Sequence, residues 1–133
     1  QRERQVVVTF LQRMILEKHN EKLPVNKARQ RTAFPPNYVH SLDSSHLLLT
    51  ASECSRRGLT FAGVHDSFWT HASSVGEMNH VLREKFIELH SQPLLENLLV
   101  EFKEAYPDLR FPDMPKLGSL DLSEIEKSTY FFS

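Results

Sequence analysis

The sequence is poor in cysteine, glycine and net charge, and each shortage excludes a class of protein. A single cysteine, Cys54, excludes an internal disulfide framework and fits a reducing compartment. Four glycines in 133 residues, without a repeat, exclude collagen-like and linker-like chains. No apolar run is long enough to span a membrane, and no signal-peptide pattern is present. A hydrophobic content of 40% can support one modest core.

Charge is balanced overall but unevenly distributed. A formal net charge of −1 argues against general nucleic-acid binding. Residues 22–31 nevertheless carry four cations and no acid, whereas acids dominate the last third. These cations, Lys22, Lys27, Arg29 and Arg31, either contact phosphates or form an ordinary solvated face.

The first third of the chain predicts a β-hairpin. Residues 5–10 are β-branched and predict a strand that extends through residues 14–16. Polar residues 17–22 predict the turn, and residues 23–32 a second, basic strand. An amphipathic helix is the alternative. Pro35 and Pro36 are expected to end whatever element precedes them.

A helix is predicted next, starting at Asp43 or Ser44 and running through Arg57, with Gly58 as its C-terminal stop. Its predicted buried face is apolar, and the expected role of its thiol is packing. The residues of this face are Leu47, Leu48, Ala51 and Cys54.

Residues 59–71 predict a short hairpin with an acid near its tip. Residues 59–64 form an apolar, partly β-branched run, Asp66 and Ser67 are turn formers, and residues 68–71 predict a returning strand. A carboxylate fixed on a rigid turn is a good ligand for a hard cation such as Mg²⁺. The alternative is that Asp66 only forms the turn.

Three helices are predicted after this hairpin. Ser74 to Glu77 forms a capping box before an apolar face of Val75, Met78, Leu82, Phe86 and Leu89. A helix starting near Pro93 is predicted to bury Leu94, Leu95, Leu98, Leu99 and Phe102. Residues 107–118 predict an irregular connector. A second capping box, from Asp121 to Glu124, opens a short helix before an aromatic tail, Tyr130, Phe131, Phe132 and Ser133.

Four ordered blocks of this sequence resemble one enzyme family. They are PPNYVHSLDSSH (35–46), GLTFAGVHDSFWTHA (58–72), MNHVLREKFIELHSQP (78–93) and the STYFFS tail (128–133). Together they resemble the single-subunit, phage-type DNA-directed RNA polymerases, and the mitochondrial enzymes most closely. The resemblance covers roughly residues 24–133, so the chain is identified as a member of this family.

The resemblance implies an α+β fold, the C-terminal palm fragment of a right-hand polymerase with a central β-hairpin and packed helices. The hairpin corresponds to the family's motif C, which makes Asp66 a direct metal ligand and His65 its supporting residue. Two Mg²⁺ ions would catalyse nucleotidyl transfer. The second family aspartate and the nucleotide-binding fingers helix do not occur in this sequence. The chain alone is therefore expected to be inactive.

The resemblance also implies contacts with nucleic acid. His40, Ser41, Asp43 and His46 are candidates for the minor groove of the new duplex, although His40 and Asp43 also suit helix capping. Lys27, Arg29 and Arg31 are candidates for phosphates. The tail, residues 130–133, would either buttress the active site or anchor the core. Expected partners are a DNA template, the RNA product, NTPs and mitochondrial transcription factors, with no membrane. The expected location is the mitochondrion, with the plastid possible.

The sequence leaves three other functions open. A palm fragment of a related family A DNA polymerase shares the architecture. A non-catalytic nucleic-acid-binding module would use the basic residues and would not need Asp66. A metal-dependent hydrolase would need a cluster drawn from His40, His46, His65, Asp66 and His71. For organisation, the sequence predicts a strand-rich segment (1–33), the hairpin with its two flanking helices (34–92) and a C-terminal region (93–133).

Overall fold

The chain folds into four strands and four helices in a computed structural model that describes residues 2–11, 13–19 and 24–131. Two compact units are present, Gln1–His40 and Ser41–Ser133. The mixture of helices with small antiparallel sheets confirms the α+β prediction at that level. The predicted three-part organisation stays a prediction. In the described part of the chain, no helix is both long enough and apolar enough to cross a bilayer.

The first unit contains a hairpin of two seven-residue strands, β1 (Arg2–Val8) and β2 (Arg13–His19). The chain reverses between Val8 and Arg13, so the turn predicted at residues 17–22 is wrong. This register places Val6 opposite Ile15 and Val7 opposite Met14. Cross-strand pairs of β-branched and long apolar side chains stabilise such ladders. These pairs form when the chain turns between the two apolar runs, which lies before the predicted turn.

Helix α1 (Lys27–Arg56) replaces the predicted basic strand and continues through Pro35 and Pro36. Both predictions are therefore wrong, and so is the predicted helix start at Asp43 or Ser44, because both residues lie inside α1. Asn26 caps the helix, because its Oδ1 accepts a hydrogen bond from the Arg29 amide (3.1 Å). Prolines inside a helix remove two amide donors. Residues 31–36 are exposed, so water can reach the carbonyl groups that lose those donors.

In the second unit, the buried face of α1 differs from the predicted one. His46, Thr50, Glu53 and Cys54 are buried, whereas Leu48 is 66% exposed. Cys54 packs with Met78, Val81 and Leu82 in the core and is a free, buried thiol, as predicted. Burial raises the pKa of this thiol. The buried face is thus partly polar: His46 donates a hydrogen bond to the Leu82 carbonyl, and Glu53 accepts hydrogen bonds from Arg56 and Arg57 at the end of the same helix.

Gly58 ends α1 as predicted. Its φ of +73° lies in the left-handed region. The Gly58 amide donates to the Ser55 carbonyl (3.1 Å), and the Leu59 amide donates to the Cys54 carbonyl (2.8 Å). This pair of hydrogen bonds is a Schellman motif, in which glycine avoids the steric cost of the left-handed conformation.

Helix α2 (Val75–His90) follows a 3₁₀ turn at Ala72–Ser74. Its predicted apolar face is largely confirmed, with Met78, Leu82 and Leu89 buried, although Val75 is 49% exposed. The capping box at Ser74 is wrong, because the Ser74 side chain makes no capping hydrogen bond. Ser74 has φ −105° and ψ 0° and belongs to the 3₁₀ turn, so it lacks the extended backbone of an N-cap residue.

Helix α3 (Leu94–Ala105) has no fully buried side chain, contrary to prediction. Leu94, Leu98, Leu99 and Phe102 are half-buried, and Leu95 is 38% exposed. Residues 107–118 contain no helix or strand, as predicted. One reason for the partial exposure is that the predicted face meets this irregular connector, in which Phe111 stacks on Phe102 with ring centroids 6.1 Å apart.

The short helix α4 (Glu124–Lys127) forms near its predicted position, without the predicted capping box. Within the described residues, the Asp121 amide donates no hydrogen bond to the Glu124 side chain, which a capping box from Asp121 to Glu124 requires. Instead, Oδ1 of Asp121 accepts a hydrogen bond from the Ser123 amide (2.9 Å), and this bond lowers the pKa of Asp121. An Asx turn therefore precedes this helix.

Candidate active-site hairpin

The predicted central hairpin is present, but the turn predicted at Asp66 and Ser67 is wrong by one residue, because Ser67 pairs with Val64 as the first residue of the second strand. Strands β3 (Ala62–Val64) and β4 (Ser67–Trp69) pair antiparallel, leaving His65 and Asp66 as a two-residue loop. His65 has a φ of +56°, and the favoured two-residue hairpin loops have a positive φ at this first loop position. Histidine is one of the few non-glycine residues enriched there. Asp66 therefore lies at the tip.

The two faces of this hairpin have different environments. Gly63 and Phe68 face inward and are half-buried, whereas the other strand residues, Ala62, Val64, Ser67 and Trp69, are exposed. Phe68 packs against the core and stacks on Phe61 with ring centroids 5.8 Å apart. A Cβ on Gly63 would lie 3.2 Å from Cδ1 of Leu47, so glycine permits the close approach of α1.

A hydrogen bond also closes the open end of the hairpin. Oγ1 of Thr70 donates a hydrogen bond to the Thr60 carbonyl, with an oxygen–oxygen distance of 2.6 Å. Residues 60 and 70 flank the two strands. The loop is thus held from its base and its inner face, and its tip is left accessible.

The Asp66 side chain is exposed, and within the described part of the chain its carboxylate accepts no hydrogen bond and forms no ion pair. His65 is also exposed and makes no hydrogen bond to Asp66. Both carboxylate oxygens are available to a ligand from outside these residues. A hard cation such as Mg²⁺ takes oxygen donors of this kind, so the residue fits one protein ligand of such an ion.

A complete metal site is not formed by the described residues. No three side chains among their histidines, cysteines, aspartates and glutamates come together to hold a metal ion. The five residues from which a hydrolase cluster could be drawn (His40, His46, His65, Asp66, His71) are all described, and no three of them form such a site. Asp66 can contribute to a metal site only together with ligands from elsewhere.

The residues proposed for the minor groove are in two environments. His40, Ser41 and Asp43 are exposed on α1. His46 is only 3% exposed, and its Nε2 donates a hydrogen bond to the Leu82 carbonyl (2.8 Å). Burial lowers the pKa of His46. A direct contact between His46 and nucleic acid does not fit this placement, because its ring is part of the core. The apolar neighbours at residues 47–49 did not indicate that His46 is buried.

The three basic residues are exposed, but on a helix instead of a strand. In a strand, Lys27, Arg29 and Arg31 would share one face, since side chains alternate with a period of two. On α1, Lys27 and Arg31 are one turn apart on the same side, and Arg29 points about 200° away from Lys27. Of the three described cations, Lys27 and Arg31 therefore form a pair, and Lys22 lies outside the described residues.

The aromatic tail is described as far as Phe131. Tyr130 is 78% exposed, and Phe131 is half-buried and packs against the core cluster. Phe132 and Ser133 lie outside the described residues. The Phe131 contact supports an anchor within this unit, and the buttressing role stays a prediction.

One residue of this region was missed by the sequence analysis. Arg83 is 8% exposed on α2, and its guanidinium contacts the end of α4 and the Phe131 ring. Its signal in the sequence is an arginine between two residues of an apolar helical face, Leu82 and Phe86. Such an arginine must find partners inside the protein.

Comparison with known proteins gives a consistent result. A family model described as DNA-dependent RNA polymerase matches residues 1–110. DNA-directed RNA polymerase 1A of Nicotiana tabacum is 55% identical over 130 residues, which cover 98% of this chain and 83% of that protein. The mitochondrial DNA-directed RNA polymerase 1 of Nicotiana sylvestris is also 55% identical over 130 residues.

Chloroplast polymerases are equally similar. The chloroplastic DNA-directed RNA polymerase 3 of Nicotiana sylvestris is 55% identical over 131 residues, which cover 98% of this chain. The chain spans 13% of the length of these mitochondrial and chloroplastic relatives. The family match extends over most of the chain and includes the β3–β4 hairpin, and the identity over nearly its whole length is above half. The chain belongs to the family of DNA-dependent RNA polymerases.

Proposed function

We propose that this chain supplies a palm segment of an organellar DNA-directed RNA polymerase, in which Asp66 is one of the metal-binding aspartates. The observation that carries the proposal is the geometry of Asp66. Its carboxylate, which has no partner among the described residues, lies at the tip of a hairpin whose inner face is packed into a core. A polymerase needs a carboxylate that is fixed in position and open to solvent on its ligand side.

Asp66 would hold Mg²⁺ together with a second aspartate that lies outside these residues. When bound, a metal pair neutralises charge on the attacking 3′ oxygen and the leaving pyrophosphate. His65 adjoins Asp66 and is proposed to orient the carboxylate or the primer end. A single aspartate supplies too few protein ligands to hold a pair of metal ions, so the 133-residue chain alone is not expected to synthesise RNA.

The proposed partners are a DNA template, the RNA product and NTPs, with mitochondrial transcription factors assisting the complete enzyme. Exposed His40, Ser41 and Asp43 are proposed to approach the minor groove of the new duplex. Lys27 and Arg31 form a basic pair suited to phosphate, with Arg29 on another side of α1. Tyr130, Phe131, Phe132 and Ser133 are proposed to lie near the active site. We propose the mitochondrion as the location; the plastid is the alternative, because relatives carry both names.

The test is Asp66→Asn in the complete polymerase, measured by extension of an RNA primer on a DNA template. We expect extension to fall by at least about a thousandfold, because the substitution removes a charged metal ligand while keeping its shape. Asp108→Asn is the matched control, since Asp108 is exposed in the connector after α3. It should extend the primer normally.

A second readout locates the metal directly. Fe²⁺ in place of Mg²⁺, with ascorbate and peroxide, cleaves a polypeptide next to the bound ion. Cleavage near residues 65–66 in the unsubstituted polymerase, and its loss in Asp66→Asn, would support the metal role. Normal extension by Asp66→Asn would refute the proposal and favour a non-catalytic nucleic-acid-binding module.

A further inference from the structure

Arg83 contacts several groups of the C-terminal segment, which we define as residues 121–131. Nη1 of Arg83 donates hydrogen bonds to the carbonyls of Ser128 (2.8 Å) and Ile125. Its Cζ lies over the Phe131 ring, 5.2 Å from the centroid. Nε donates to Oδ1 of Asn79 one turn earlier on α2 (2.7 Å), which fixes the direction of the side chain. One guanidinium therefore contacts the segment at three points.

The C-terminal segment has few constraints of its own. Its only described helix, α4, has four residues, and an isolated helix of that length is unstable in water. The connector before it, residues 107–118, forms no helix or strand. A buried guanidinium is costly unless its N–H groups are paired, and here carbonyls of the segment accept from Nη1 while Asn79 accepts from Nε. The segment thus provides hydrogen-bond acceptors for Arg83, and Arg83 provides donors for carbonyls of the segment.

Ring contacts continue from this point to the hairpin. The Phe131 ring meets Phe86 edge-on, with centroids 5.3 Å apart, and Phe86 meets His46 in the same way at 5.5 Å. His46 in turn contacts Phe68 edge-on at 6.4 Å. Phe68 lies on β4, two residues after Asp66. These perpendicular contacts are geometries that aromatic rings favour, and they extend without a gap from the segment to the strand.

We infer that Arg83 is a positioning residue that fixes the C-terminal segment and, through this series of rings, the strand that follows Asp66. The effect on catalysis rests on the function proposed above. The effect on the segment does not, because it depends only on contacts within the Ser41–Ser133 unit. The two consequences are therefore measured separately.

The experiment uses Arg83→Met in the complete polymerase, which keeps the length and removes every donor. Hydrogen–deuterium exchange is followed at four amides that donate backbone hydrogen bonds in the segment, those of Glu124, Ile125, Glu126 and Ser128. We expect them to exchange at least about tenfold faster. Amides of residues 62–69 should also exchange faster, and kcat should fall with little change in the KM for NTP. Arg83→Lys, which keeps the charge without the planar fork, should lie in between.

Arg57→Met is the matched control. Arg57 donates to Glu53 (2.6 Å) and Glu84 (2.7 Å), and none of its described contacts reaches the C-terminal segment. It should leave the exchange of the four segment amides unchanged. If Arg83→Met fails to fold, Phe131→Leu removes the ring and leaves Arg83 in place, and it should reproduce the faster exchange at residues 62–69 and the loss of kcat.

Unchanged exchange of the segment amides in Arg83→Met would overturn the inference. Faster exchange there, with residues 62–69 and kcat unaltered, would overturn the positioning role and leave a local anchor only. If Asp66→Asn retains full primer extension, the proposed function fails, and the exchange data alone then decide whether Arg83 positions the hairpin.

Discussion

The two hairpins of this chain differ in what holds them. The β1–β2 hairpin has seven paired positions, yet its described side chains are exposed apart from half-buried Val7. The β3–β4 hairpin has only three paired positions, but Phe68 packs into the core and Thr70 closes its base. The long hairpin is stabilised by the hydrogen bonds and cross-strand pairs of its own ladder. The short hairpin gains its position from packing, and it is the one that carries Asp66.

The short hairpin is also attached to a well-terminated helix. The Schellman motif at Gly58 turns the chain out of α1 directly into the approach to β3. Just before it, Glu53 accepts hydrogen bonds from Arg56 and Arg57, and Arg57 reaches Glu84 on α2. Hence contacts at the end of the preceding helix stabilise the hairpin, in addition to the contacts of its own strands.

The largest effect that tests this comparison is expected from Phe68→Ala. It removes the inward ring of the short hairpin, and we expect the free energy of unfolding to fall by about 2 kcal/mol, below the full cost for a fully buried ring. Leu16→Ala, on the 50% exposed Leu16 of the long hairpin, should change it by less than about 0.5 kcal/mol. Urea denaturation followed by circular dichroism measures both. Equal losses would contradict the distinction between the hairpins.

A smaller effect is expected at the helix end. Gly58→Ala places a Cβ at a φ of +73° and should cost about 1 kcal/mol, a purely backbone effect since nothing lies within 4 Å of that Cβ. Gly76→Ala is the matched control, because Gly76 lies in the first turn of α2 and is also uncrowded. There, alanine should stabilise by about 0.5 kcal/mol. Thermal unfolding of the two variants should therefore shift in opposite directions.

The smallest effect is a pH dependence at Glu53. Hydrogen bonds from Arg56, then Arg57, lower the pKa of Glu53 from 4.5 to about 2. Because the pKa of Glu53 is lowered in the folded state, ionised Glu53 contributes to the free energy of unfolding. This contribution is fully present above pH 4.5 and is lost as the pH falls toward 2. Urea midpoints measured across this range should fall less steeply in Glu53→Gln than in the unsubstituted chain. Glu101→Gln, an exposed glutamate of α3, should keep the original slope.

Local chemistry made the region around the hairpin predictable. The end of α1 at Gly58, the turn former Asp66 at the hairpin tip and the apolar period of 3.6 in α2 each depend on neighbours in sequence. The same neighbours carried the family resemblance, which the family match confirmed. The resemblance, not the pattern, pointed to Asp66 as a metal ligand.

Features that depend on distant contacts were not predictable. Pro35 and Pro36 predicted a break, yet the Asn26 cap and solvent access let α1 continue. His46 looked like a surface residue, but its partner is a carbonyl on another helix, 36 residues away in sequence. The partners of Arg83 lie 42 and 45 residues away. No local pattern encodes pairings of this separation.

The burial of Cys54 has a practical consequence for studying the hairpin. Its thiol is fully enclosed, and its raised pKa keeps it in the unreactive protonated form. Maleimide reagents should therefore leave the unsubstituted chain unmodified. A cysteine introduced at exposed Ser67, beside Asp66, would be the single reactive thiol of this chain. A fluorophore or spin label could be attached there without first removing the native cysteine, and its signal would report the motion of the loop.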